Sequence, residues 1–173
     1  EFLHSLGAPP KSYDLIIADM RMERMGGAEL HRWLREHRPD ELDRFVVSTK
    51  YTLSTDTADP NASGNHRKNL VRSLESSLRR LGTDHIDLYW VHIWDPNTPV
   101  EETMRALDDA VRAGKVLYVG VSDTPAWVTA RASTLAEWRG WSPLAGIQVP
   151  YSLVQRDIER ELLPMAGSLG MSV

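Results

Sequence analysis

Short apolar runs alternate along this chain with longer stretches in which apolar residues recur every three or four positions. The short runs are "YDLIIA" at 13–18, "RFVVST" at 44–49, "IDLYWV" at 86–91, "VLYVGV" at 116–121, "AGIQV" at 145–149 and "MSV" at 171–173. Several are nearly continuous, as expected of parallel strands buried on both faces. The longer stretches predict helices. Residues 27–37 place Leu30, Trp33 and Leu34 on one face, and 65–82 space Leu70, Leu74, Leu78 and Leu81 along another, with Gly82 where a C-terminal cap belongs. Residues 98–115 open with Thr98 as N-cap, Pro99 at the first helical position and acids in the first turn, and they end at Gly114. Residues 124–140 repeat the Thr-Pro opening, and 155–170 carry Pro164, which is expected to bend or split the last helix.

Regular strand–helix alternation predicts one α/β domain over 1–173 with a parallel sheet and crossovers of one hand. About six strands and five helices fit an incomplete TIM-barrel-like arrangement, with an open, doubly wound flavodoxin-like sheet as the alternative. In either case the outer strands keep free edges, so a homo-oligomer, most simply a dimer, is expected to cover them. The polar loop 51–64 follows a strand, where barrel enzymes keep function, although a plain surface excursion reads the same way.

Composition narrows the setting. The chain has 173 residues and a net charge of −4, which gives a nucleic-acid partner no electrostatic footing. It contains no cysteine, which removes thiolate metal ligands and disulfides and suits a reducing cytoplasm. No apolar run approaches the roughly 18 residues of a membrane span. No metal site is expected.

From Arg44 onward the sequence resembles the aldo-keto reductase family. The resemblance is carried by "RFVVSTKY", "SLRRLGTDHIDLYWVHIWDP", "EETMRALDDAVRAGKVLYVGVSD" and "IQVPYSLVQRDIERELLPMA". It implies a (β/α)8 barrel and NADPH-dependent reduction of carbonyls, with an Asp, a Tyr, a Lys and a His at the barrel mouth. By position Lys50 matches the lysine and His92 the histidine. Ser122 and Asp123 match a Ser-Asn pair that bonds the nicotinamide amide, Asp here replacing Asn. Gln148 matches a third amide partner, Tyr151 the aromatic that stacks on the ring, and Trp94 a substrate-pocket wall. In the same alignment Ile16 stands where the Asp belongs and Arg21 where the Tyr belongs, and neither can do that work. A complete barrel needs about 250 residues. The resemblance therefore implies a reductase fragment truncated at both ends, non-catalytic, with no NADPH bound. A weakly active or nicotinamide-binding reductase is the alternative.

The opening stretch "YDLIIADMRMERMGGAELHRWLREHRPDE" resembles a response-regulator receiver around its third strand and helix. That resemblance implies Asp19 as a phosphoacceptor-like residue and a junction near Asp40–Arg44. Residues 1–43 are then a receiver-like segment and 44–173 a barrel fragment, joined in a chimera. A natural, degenerate reductase is the competing reading. A lone Asp19, without a metal-binding acidic pair, is expected to be a strand-end carboxylate rather than a working acceptor.

Overall fold

The computed structural model describes residues 26–173. The chain divides into two compact units that meet between Arg44 and Phe45. Of the first, helices α1 (Gly27–His37) and α2 (Pro39–Leu42) are described. α1 takes the predicted bounds. Its first turn is closed by Gly26 N–H donating to Glu29 Oε2 at 2.8 Å. Leu30 and Leu34 are buried, while Trp33 stacks on His37 at 4.6 Å. The strand predicted at 13–18 lies outside the described residues.

The second unit is a four-stranded parallel sheet in the order β1 (Ser48–Tyr51), β2 (Ile86–Val91), β3 (Val116–Ser122), β4 (Leu144–Gln148). α3 (Arg67–Leu81), α4 (Val100–Arg112) and α5 (Ala126–Arg139) connect successive strands, and α6 (Leu162–Ser168) follows β4. The order runs forward without reversal, and α3 packs beside α4 and α4 beside α5. That is an incomplete TIM-barrel-like arrangement, not closed among the described residues. A doubly wound sheet would reverse its order and split its helices between two faces.

The helix-side face of the sheet is the core. Tyr51, Tyr89, Val91, Val119, Val121 and Ile147 are buried, and they meet Leu70, Leu74, Leu78 and Leu81 of α3, Met104 and Leu107 of α4, and Val128 and Ala132 of α5 in the buried set. All four predicted leucines of α3 are inside, so the helical period was a true packing signal. The other face differs. Lys50 pairs in register with Trp90, and Trp90 with Gly120. In-register residues of parallel strands point the same way. A Cβ on Gly120 would collide with the Trp90 ring, so only glycine lets the indole lie there.

Several predicted boundaries move, each for a local reason. β1 begins at Ser48 rather than Arg44. Asp87 Oδ2 accepts from Val47 N–H at 2.7 Å, so a carboxylate satisfies the backbone before the strand pairing begins, and Val46 is 74% exposed. Thr98 is not the cap of α4. Its hydroxyl donates to Asp95 Oδ2 at 2.6 Å, and Pro99 takes the N-cap position. Thr124 likewise donates to the Ser122 carbonyl at 2.8 Å, leaving Pro125 as the N-cap of α5. Pro164 splits nothing. The break lies before it, between a 3₁₀ turn at Asp157–Glu159 and α6, and Pro164 sits in the first turn of α6, where no N–H is required. The final "MSV" contributes one bridge rather than a strand: Ile147 N–H donates to Ser172 O at 2.9 Å and Ser172 N–H to Ala145 O at 3.1 Å. Gly82 does cap α3 in the left-handed conformation, as its position predicts.

Candidate functional site

The C-terminal ends of parallel strands form a common rim, because every strand points the same way there. Lys50 is the third residue of β1, and His92 directly follows β2. Ser122 ends β3 and Gln148 ends β4, and these two are in register. Asp123 N–H donates to the Gln148 carbonyl at 3.2 Å, and Trp94 N–H to the Asp123 carbonyl at 3.3 Å. The sheet therefore brings Lys50, His92, Ser122, Asp123 and Gln148 to one rim. Lys50 and His92 share the wall of a groove of about 640 Å³ that continues along α3 past Arg72 and Arg79.

Burial holds the His92 pKa below that of a free imidazole, the Lys50 ammonium pushes the same way, and Asp123 opposes them. His92 is thus neutral near pH 7 and keeps a ring N–H to donate. Among the described residues, no tyrosine hydroxyl or carboxylate bonds the Lys50 ammonium. Tyr51, next to Lys50, faces the other side of the sheet. Its hydroxyl donates to the Asn65 carbonyl at 3.4 Å, and burial, followed by Tyr89, pushes its pKa well up. It is not placed to protonate anything at the rim. The positions predicted for an Asp and a Tyr, Ile16 and Arg21, lie outside the described residues, as does Asp19.

The rim can therefore polarise a carbonyl oxygen with two donors, Lys50 and His92. It also fits a carboxamide. Gln148 offers both a donor and an acceptor, and Asp123 an acceptor, at the end of neighbouring strands. Asp123 takes φ +41°, a left-handed conformation that aspartate tolerates. Ser122 is buried. Tyr151 lies in the segment that follows β4. It is 55% exposed, and its hydroxyl donates to Glu159 at 2.6 Å. Trp94 is half-buried and meets Trp127 edge-on at 5.7 Å, with Asp95 and Thr98 beside it in the adjoining cavity. Among the described residues no group of three or more His, Asp or Glu side chains is placed to hold a metal ion. No helix there is long and apolar enough to cross a membrane.

Three residues escaped the sequence reading. Loop 51–64 is laced rather than loose: Thr55 N–H donates to Ala62 O at 3.2 Å, and Arg72 pairs with Asp59 at 2.7 Å. Thr52 and Asn65, at its two ends, and Asp95 beyond β2 form its inner bonds. The Asp-Pro-x-Thr turn at 95–98 and an asparagine just before a helix start were available signals. Thr52 had none, because a β-branched residue at positive φ is not anticipated from sequence.

Residues 25–173 match the Aldo/keto reductase family. The match begins at Met25, so α1 and α2 fall inside it rather than inside a receiver-like segment. The chain is 44% identical over 154 residues to norsolorinic acid reductase A of Aspergillus parasiticus, across 85% of this chain and 40% of that protein. It is 39% identical over 153 residues to an aryl-alcohol dehydrogenase of Pestalotiopsis microspora, again 85% of this chain and 40% of the relative. A putative aryl-alcohol dehydrogenase of Saccharomyces cerevisiae is 42% identical over 137 residues, 76% of this chain and 48% of its own length. The chain thus spans less than half the length of these curated relatives.

Proposed function

The chain belongs to the aldo/keto reductase family, and from that premise we propose that it supplies the lysine–histidine half of an NAD(P)H-dependent carbonyl-reducing site. Its substrates are aryl carbonyls or the matching alcohols, in keeping with the names of its relatives. The bound nicotinamide supplies the hydride. Lys50 and His92 polarise the acceptor oxygen, and Ser122, Asp123 and Gln148 hold the nicotinamide amide. Taken by itself the chain holds the nicotinamide end of the cofactor without turnover, because nothing described near Lys50 offers a tuned proton donor. The observation that carries this reading is the convergence of Lys50, His92, Asp123 and Gln148 on one rim, with Lys50 and His92 close enough to shift a pKa.

A second reading, weak turnover by this chain alone, is favoured by the bare Lys50 ammonium beside a neutral His92. A cytoplasmic location and self-association through free strand edges complete the proposal. The test is titration of tryptophan fluorescence with NADPH, followed by an assay of an aromatic aldehyde by loss of nicotinamide absorbance. Saturable quenching without turnover is expected. No quenching at millimolar cofactor overturns the binding reading, and turnover abolished by Lys50→Ala overturns the non-catalytic one.

A further inference from the structure

We propose that Thr52 and Asn65 are positioning residues that set where the His92 imidazole stands at the rim. Thr52 follows β1 with φ +114°, a conformation that a β-branched residue avoids unless its surroundings impose it. It is 5% exposed. Its hydroxyl donates to Asn65 Oδ1 at 2.6 Å and accepts from the His92 N–H at 3.3 Å, while its carbonyl accepts from Gly64 N–H at 2.8 Å. The same His92 N–H donates to the Tyr51 carbonyl at 3.1 Å. The backbone of His92 is therefore held from β1 by two acceptors, and one of them is a side chain.

Asn65 braces that side chain. It is 4% exposed, and its polar groups are engaged on three sides. Its Nδ2 donates to the Ile93 carbonyl at 3.0 Å, one residue past His92. Its backbone N–H donates to Asp95 Oδ2 at 3.0 Å, and its carbonyl accepts from Tyr51 and Thr103, each at 3.4 Å. Asp95 is in turn held by Thr98 and by Asn97 N–H at 2.9 Å. The amide of His92 and the carbonyl of Ile93 that follows it are thus pinned to one buried pair. The strain at Thr52 persists because three separate partners, Asn65, His92 and Gly64, fix it. A loop needed only for folding could reach the same closure with an ordinary φ, whereas this geometry aims one hydroxyl at the amide of one rim residue. Its consequence for chemistry rests on the reading of His92 given above; the geometry does not.

The groups that face the His92 ring electrostatically are Lys50 and Asp123, so a small displacement of the ring is legible in its titration. The experiment follows the histidine ring signals of the whole 173-residue chain by NMR across pH, with His92 assigned through His92→Gln. Thr52→Val removes the hydroxyl and keeps the shape. It is expected to move the His92 ring signals and raise its pKa by roughly half a pH unit, as the ring gains water and leaves Lys50. Thr52→Ser keeps the hydroxyl and is expected to leave both where they are. If Thr52→Val does not fold, Thr52→Gly removes the same hydroxyl while relieving the positive φ, and carries the same expectation. Unmoved His92 signals in whichever of these two folds, or a shift in Thr52→Ser as large as theirs, overturn the proposal. Cofactor plays no part in this readout. Failure of NADPH to bind leaves this inference standing, and an unmoved His92 leaves the binding reading standing.

Discussion

Tyr89 offers the cleanest test of the packing. Its side chain is fully buried between sheet and helices and stacks on Tyr51 at 5.3 Å with the rings 11° apart. Among the described residues its hydroxyl has no hydrogen-bond partner. Burial pushes its pKa up, so the group stays a neutral, unpaired hydroxyl at any working pH. Such a group gives up its bonds to water on folding and gains none, at a cost of about 1–3 kcal/mol. Tyr89→Phe removes that cost and leaves the ring and its stacking in place. The expected result is a gain of about 1 kcal/mol, seen as a rise in midpoint of roughly 2–4 °C for a chain of this size. Tyr51→Phe is the matched control. It loses one long bond, at 3.4 Å, to a carbonyl that Thr103 still satisfies at 3.4 Å. It should cost less than about 1 kcal/mol. Both are read by urea unfolding followed by circular dichroism, with the slope checked for constancy. A loss of about 1 kcal/mol or more in Tyr89→Phe would show that the hydroxyl is bonded after all, and the reasoning would fail.

The remaining predictions concern the rim and the sheet. Because burial and Lys50 hold His92 below an ordinary imidazole near 6.5, the unfolded chain binds a proton that the folded chain resists. This contribution to stability is whole above that pH and is lost as pH falls through and below it, so His92→Gln should flatten the stability profile between about pH 7 and 5.5. Asp123→Asn removes a carboxylate from beside the proposed nicotinamide site, and should weaken oxidised relative to reduced cofactor by a few-fold; equal changes in both dissociation constants, by fluorescence titration, refute it. Gly120→Ala drives a methyl into the Trp90 ring and should cost about 1–3 kcal/mol in urea unfolding. Light scattering at high micromolar concentration should report a dimer or larger, and a stable monomer would refute self-association.

Much of the sheet was legible because its strands are apolar on the helix side and run in chain order. "IDLYWV" declared β2 to the residue, and four leucines at helical spacing declared the inner face of α3. What misled was competition for hydrogen bonds. Thr98 and Thr124 look like helix caps, but their hydroxyls are spent on Asp95 and on the Ser122 carbonyl. Asp87 satisfies the entry to β1 with a side chain, which moved its start from Arg44 to Ser48. Such choices depend on partners distant in the chain and leave no local trace. The family resemblance assigned Lys50, His92, Asp123 and Gln148 by motif, and each falls within or directly after the last residues of its strand. Tyr151 was matched by the same route, and its hydroxyl donates to Glu159. Thr52 and Asn65 act through bonds whose geometry no residue pattern announces.

Because each strand pairs with the one before it, this unit is assembled as a ribbon is knitted, stitch on the last stitch. Every pairing spans an intervening helix, so each strand waits on a crossover to close before it can join, which makes a parallel sheet of this kind slow to form. The bridge from Gly146 to Ser172 is a single parallel stitch on the far edge of β4. A fabric of this kind accepts added rows without unravelling those already made, and so lends itself to lengthening and exchange by whole strand–helix steps.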